Sequence, residues 1–173
     1  NPSCPKQLEK GLIHFASRLA MDIEGMGESV IEQLINKKLV KDFSDIYSLK
    51  KEYLLKLELF AEKKADNLIV GIEMSKKQPL SRLLYALGIR HVGEKAAYVL
   101  AQRFGNMENI LEAKKEDFDS IPEIGIVMAE SIYKFLHQDE TKKLISKLIK
   151  AGINTSEPKA RSRRTTLLNK VFV

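Results

Sequence analysis

Four short segments of this chain can be written under one another, and their spacing constrains how it can fold. They are Ile23-Glu-Gly-Met-Gly27, Leu57-Glu-Leu-Phe-Ala61, Ile89-Arg-His-Val-Gly93 and Ile121-Pro-Glu-Ile-Gly125. Each reads apolar, any, variable, apolar, small. Their third positions, 25, 59, 91 and 123, lie 34, 32 and 32 residues apart. A period of that size marks one supersecondary unit used repeatedly. The residues after each segment repeat as well. Counting from the fifth position, apolar residues recur at +3, +4, +7, +8 and usually +11. The sets are Val30, Ile31, Leu34 and Ile35; Ala65, Leu68, Ile69 and Ile72; Ala96, Ala97, Leu100, Ala101 and Phe104; and Met128, Ala129, Ile132, Tyr133 and Leu136. Lys64 is the one polar exception. This is the stripe of an amphipathic helix on a core, so each turn predicts a helix starting near its fifth position.

Helical patterns also precede the turns, at Gln7 to Arg18, Lys51 to Lys56, Leu80 to Leu87 and Lys115 to Ser120. Two more helices fall at Met107 to Ala113 and at Thr141 to Ala151, the latter stopped by Gly152. No stretch alternates convincingly with period two, and the one strand-like run is Val171-Phe-Val173. The predicted fold is all-α, with four helix–hairpin–helix repeats arranged as two pseudo-symmetric pairs. With 173 residues, 44% of them apolar, the chain is long enough to build a sizeable core. Residues 154–166 lack apolar periodicity and read as a polar, basic linker, and residues 167–173 read as the start of a strand. The abrupt ends suggest a piece of a longer protein.

Cys4 is the single cysteine, so an internal disulfide is excluded and a zinc site cannot be completed by cysteines of this chain. His14, His91 and His137 are dispersed and share no ligand-like spacing with it. The apolar runs are too short for a bilayer, and the first residues do not resemble a signal peptide. A soluble, cytoplasmic, monomeric setting without a membrane partner is the expectation. No Ser-His-Asp set, Walker loop or dinucleotide fingerprint is present. The 29 basic and 23 acidic residues give a net charge of +6. Residues 159–173 hold Lys159, Arg161, Arg163, Arg164 and Lys170 and no acid, which leaves 24 basic against 23 acidic residues, or +1, for residues 1–158. An anionic partner of the helical body must therefore be held by local cations and by the backbone.

The repeated turn can do this. A helix that begins after a tight turn presents unpaired N–H groups and the positive end of its dipole, which suit a phosphate oxygen. Glycine permits positive φ and lets the backbone approach an anion closely. A cation in the helix's first turn adds a charge-assisted contact. The candidate nucleic-acid-binding residues are Gly25, Met26 and Gly27 in the first repeat, and Lys63 and Lys64 in the second. The third contributes Arg90, His91, Gly93 and Lys95, and the fourth Gly125. Leu59 and Ala61 replace glycine in the second turn, which points to a mainly structural role there, with Lys63 its best contact. Glu123 would repel a phosphate, so the fourth turn either uses Gly125 and its neighbouring amides or faces elsewhere. Backbone donors do not distinguish bases, so binding would be independent of sequence. This is the helix–hairpin–helix device of DNA-handling proteins.

The segment His14-Phe-Ala-Ser-Arg-Leu-Ala-Met-Asp-Ile-Glu-Gly-Met-Gly27 resembles the bacterial NAD-dependent DNA ligases. So do Asn1-Pro-Ser-Cys-Pro5, Lys76-Lys-Gln-Pro-Leu80 and Leu83-Leu-Tyr-Ala-Leu-Gly-Ile-Arg-His-Val-Gly93, in collinear order. The resemblance implies a remnant of a four-cysteine zinc finger at 1–5, with Cys4 as its last ligand. It implies hairpin pairs at 6–76 and 77–153, the linker at 154–166, and the start of a BRCT domain at 167–173. It also implies NAD, magnesium and zinc for the whole ligase but no cofactor in this piece. The family's Lys-x-Asp-Gly adenylation motif is absent. Lys115-Glu-Asp-Phe118 comes nearest, with Phe118 where glycine is needed. No catalytic residue is therefore expected here. The implied partners are nicked duplex DNA and the other ligase domains, in the bacterial cytoplasm at the nucleoid. Two rival readings are a hairpin module of another repair or recombination protein and a protein-interaction bundle without a nucleic-acid role.

Overall fold

A computed structural model describes residues 4–160 of the chain. Among the described residues ten α-helices and one 3-10 helix form, and no strand. The first hairpin joins α1 (Pro5–Ala16) to α2 (Glu28–Asn36), and the second joins α3 (Lys51–Leu54) to α4 (Glu62–Ser75). The third joins α5 (Leu80–Ala86) to α6 (Glu94–Phe104). After α7 (Met107–Glu112), the fourth joins α8 (Lys115–Asp119) to α9 (Ile126–His137), and α10 (Asp139–Lys150) comes last. The all-α repeat architecture is the one the periodicity predicts. In every hairpin the fifth position of the turn is the residue that caps the second helix: Gly27, Ala61, Gly93 and Gly125.

The two pairs are built alike. In each, the second helix of the first hairpin ends on a left-handed residue, and an Asx-capped short helix leads to the second hairpin. Lys38 (φ 56) ends the run after α2, and Asp42 then caps the 3-10 helix Phe43–Ser48 by accepting from the N–H groups of Ser44 and Asp45. Gly105 (φ 78) ends α6, and Asn106 caps α7 by accepting from Asn109 N–H at 2.8 Å. The 3-10 helix has no counterpart in the apolar periodicity. Its signal in the sequence is Asp42-Phe-Ser-Asp45, whose two carboxylates form a reciprocal capping box.

The stripes predicted for the second helices face one continuous core. Ile31, Leu34, Ala65, Leu68, Ala97, Leu100, Ala129 and Ile132 are at most 1% exposed, and each buried Leu or Ile contributes about 1.5–3 kcal/mol of transfer free energy. Within the first pair the packing is reciprocal. The turn at Glu24 lies against Gly71 of α4, while the turn at Glu58 donates its N–H to Gln33 Oε1 of α2 at 2.7 Å. Tyr47 of the 3-10 helix bonds Ser75 Oγ at 3.1 Å, and burial pushes its phenol up to about 12, against the opposing pull of Ser75.

The two pairs meet along α1 and α5. His14 Nε2 bonds the Tyr85 carbonyl at 2.7 Å, and Arg82 donates to the carbonyls of Arg18 and Ala20. Across the same joint Lys147 Nζ of α10 reaches Asp42 Oδ2 at 3.0 Å. Burial raises the Asp42 carboxyl, but hydrogen bonds from Ser44 and Lys147 outweigh it and hold the group below its ordinary value. A carboxyl depressed in the folded state contributes stability above its unfolded pKa, and that stability is lost as pH falls through the folded value. Wild type is therefore expected to lose stability more steeply than Asp42→Asn below about pH 4. Urea melts across that range check this; parallel acid profiles for the two chains would count against the Asp42 account.

Residues 154–158 differ from the linker expectation. Asn154 N–H donates to Lys76 O, Leu80 N–H to Ser156 O, Met107 N–H to Thr155 O and Glu157 N–H to Gly105 O. The Glu157 carboxylate accepts from Ser81 N–H at 2.9 Å and Ser81 Oγ at 3.1 Å, at the start of α5. This stretch is a strap across the second pair. Its polar composition supplies anchors, and composition alone does not separate anchors from a free tether. Residues 1–3, the arginines of the basic segment at 161–164, Lys170 and the strand expected at 167–173 lie outside the described residues.

Candidate nucleic-acid interface

The four hairpin helices start alike. Their capping residues are all extended, with φ/ψ of −83/176 at Gly27, −82/169 at Ala61, −87/−175 at Gly93 and −74/166 at Gly125. None of the four receives a side-chain cap, whereas Asp42 and Asn106 cap the helices between hairpins. The first helical bonds run from Ile31, Ala65, Ala97 and Ala129 back to the capping carbonyls. The three preceding N–H groups in each hairpin consequently have no partner within the helix. Each turn thus offers a small cluster of free donors at the positive end of a dipole.

The glycine roles divide in a way that the sequence does not reveal. Positive φ belongs to the third position, not the fifth: Gly25 (88), Leu59 (58) and His91 (69) carry it. The first and third turns are closed by bonds from Met26 N–H to Ile23 O and from Val92 N–H to Ile89 O, as a type II turn requires. Leu59 and His91 hold a conformation that costs a side chain about 1 kcal/mol or more. The fourth turn has the same closing bond, from Ile124 N–H to Ile121 O, without positive φ at Glu123. Pro122 supplies the preset φ of its second position instead.

At the fifth position glycine is required by nothing inside the protein. Gly27, Gly93 and Gly125 are exposed, sit in backbone any residue adopts, and a Cβ there would meet nothing within 4 Å. Their smallness matters to whatever approaches from outside.

Around these donors Lys63, Lys64, Arg90, His91 and Lys95 are all exposed. None of the four Lys and Arg side chains is in a salt bridge among the described residues. Lys64 Nζ lies 4.9 Å from the centre of the Phe60 ring, which holds the ammonium beside its own turn. Met26, also expected at the site, is 6% exposed and its N–H closes the turn, so neither its side chain nor its N–H is open to a ligand. Three acids were not among the residues expected at the site. Glu28, Glu62 and Glu94 are each the first helical residue of a hairpin. They suit the dipole but would repel a phosphate, and Lys63 and Lys95 stand next to two of them. The other histidines are structural: His14 serves the joint, and His137 stacks on Tyr133 with 4.0 Å between ring centres.

These turns and their arrangement define a tandem helix–hairpin–helix protein. Residues 17–74 match the family model described as a SAM-like helix–hairpin–helix tandem, and residues 82–145 match the one described as a helix–hairpin–helix motif. Among curated proteins, the chain is 46% identical over 173 residues to a DNA ligase of Endomicrobium trichonymphae, covering 100% of the chain and 26% of the relative. It is 51% identical over 158 residues to a DNA ligase of Natranaerobius thermophilus, covering 91% of the chain and 24% of the relative. A DNA ligase of Bacillus subtilis shares 46% over 155 residues, 90% of the chain and 23% of the relative. The chain spans about a quarter of the length of these relatives. It belongs, as a helix–hairpin–helix segment, to the bacterial DNA ligase family.

Proposed function

We propose that this chain grips duplex DNA by its sugar–phosphate track, independently of base sequence, as part of an NAD-dependent ligase that seals nicks in replication and repair. The observation that carries the reading is glycine at positions 27, 93 and 125, where neither backbone angle nor packing requires it. A phosphate seated on free amides does. The likeness of the whole chain to one segment of DNA ligases supports the same partner. Holding the duplex on either side of a nick would set the two strand ends in place for a catalytic lysine elsewhere in the ligase.

The cofactors of the whole enzyme bear on this chain only at Cys4. That thiol stands at the start of α1, where the backbone N–H groups of Gln7 and then Lys6 lower its pKa, so it fits one thiolate position of a zinc site. The described residues contain no group of three or more metal-ligating side chains, so the remaining ligands would come from elsewhere. NAD and magnesium are assigned to other parts of the ligase. No helix of the described residues is long and apolar enough to cross a membrane. The reading places the protein at the bacterial nucleoid as a monomer.

Titration of a labelled nicked duplex with the chain at low ionic strength tests the proposal. Salt-sensitive binding, equal across unrelated sequences, is expected. No binding would refute it. Lys63→Ala and Arg90→Ala should each weaken binding and reduce the slope of log affinity against log salt by about one. An unchanged slope would remove that side chain from the phosphate contacts.

A further inference from the structure

The second hairpin of each pair exposes aliphatic side chains at its tip. Leu59, the third residue of the second turn, is 93% exposed, and Ile126 and Val127, the first two residues of α9, are 75% and 65% exposed. A bulky residue at positive φ that touches almost nothing has no account within the fold, since glycine or asparagine would hold φ 58 with less strain. The fourth hairpin is also the one whose first helical turn holds no acid, and no Lys or Arg occurs between residues 121 and 129. As in the first hairpin, a phosphate at this turn would be held by backbone donors without a neighbouring cation.

We infer that Leu59 in the first pair, and Ile126 with Val127 in the second, pack on deoxyriboses of the bound duplex, beside phosphates held at the free amides of their own hairpins. The inference rests on the duplex-gripping reading. Its occupant is identified by continuity: these side chains project from the same turns and helix starts that carry the free amides, and the apolar surface next to a backbone phosphate is its sugar. Backbone donors at the turns hold phosphate, and the second hairpin adds apolar contact that resists sliding without reading bases. Such contacts weaken little with salt, which suits a helical body of nearly balanced charge.

The test compares the wild-type chain with Leu59→Asn and with Ile126→Ser/Val127→Ser on a nicked duplex. Leu59→Asn should raise the melting temperature, because asparagine tolerates positive φ, and yet lower affinity about tenfold, the scale of one partly buried aliphatic side chain. The double variant should lose a similar factor. In both, the salt slope should stay at the wild-type value, and hydroxyl-radical protection of the sugars should fall. Wild-type affinity and protection in the variants, with Gly27→Val still weakened, would overturn this inference and leave the DNA reading standing. A wild-type chain that does not bind duplex overturns both. Concentration-dependent dimerisation abolished by Leu59→Asn would assign the tips to a second copy of the chain instead.

Discussion

Duplex affinity is expected to fall about a hundredfold when Gly27 and Gly93 are both replaced by valine, roughly tenfold for each site, since they lie in separate hairpins and should add. The cause is steric on the ligand side only. A Cβ at either position meets nothing of the protein, and the φ values of −83 and −87 suit any side chain. It would, however, stand where an anion must come to reach the free amides. Unfolding free energy should drop by at most about 1 kcal/mol per site, the difference among weak capping residues. Gly125→Val should cost less affinity, because Glu123 stands at the turn position that Gly25 and His91 hold in the other two hairpins, beside the bound anion. Binding curves with urea melts on the same samples decide the matter. Equal losses at all three sites would refute the ranking, and losses that track unfolding would refute the steric account.

The second large effect is on stability. Gly71→Val is expected to lower unfolding free energy by about 3 kcal/mol, and Gly71→Ala by about 1–2, although alanine in a helix gains about 1 kcal/mol over glycine. A Cβ on Gly71 would lie 2.8 Å from the Glu24 carbonyl oxygen and 3.4 Å from its nitrogen. Neither is the flexible end of a side chain, so α4 and the first turn must move apart. Because that turn holds Gly27, the substitution should weaken duplex binding as well. A stabilised Gly71→Ala chain would show that helix and turn do not meet in this way.

The sequence made some of this legible and hid the rest, for physical reasons. The turn spacing located all four hairpins, and the stripes identified buried residues such as Ile31, Leu68, Leu100 and Ile132, because helical periodicity is a local property. The capping position was legible for the same reason. The division between third and fifth positions was not, since glycine appears at both and only the observed φ separates their duties. Gly71 resembled an ordinary helical glycine, because its constraint comes from a turn 47 residues away in the chain. At residues 154–158 the error lay in equating polarity with freedom. Glu157 accepts from the start of α5 and Asn154 donates to Gln78 O by their side chains, while backbone groups of the strap pair with the ends of α6 and α7.

The joint between the pairs has a kinetic consequence. Contacts that complete the first pair are short in sequence, such as Glu58 to Gln33 and Tyr47 to Ser75, 25 and 28 residues apart. Those that unite the pairs span 71 residues at His14–Tyr85 and 105 at Asp42–Lys147. Closing short loops costs less entropy, so each pair can assemble as it leaves the ribosome. The contact through Lys147 must wait for α10, whereas α5 can meet α1 earlier. Until then the carboxylate of Asp42 remains hydrated, and the nascent chain carries a seam closed at the α1–α5 end and open at the other.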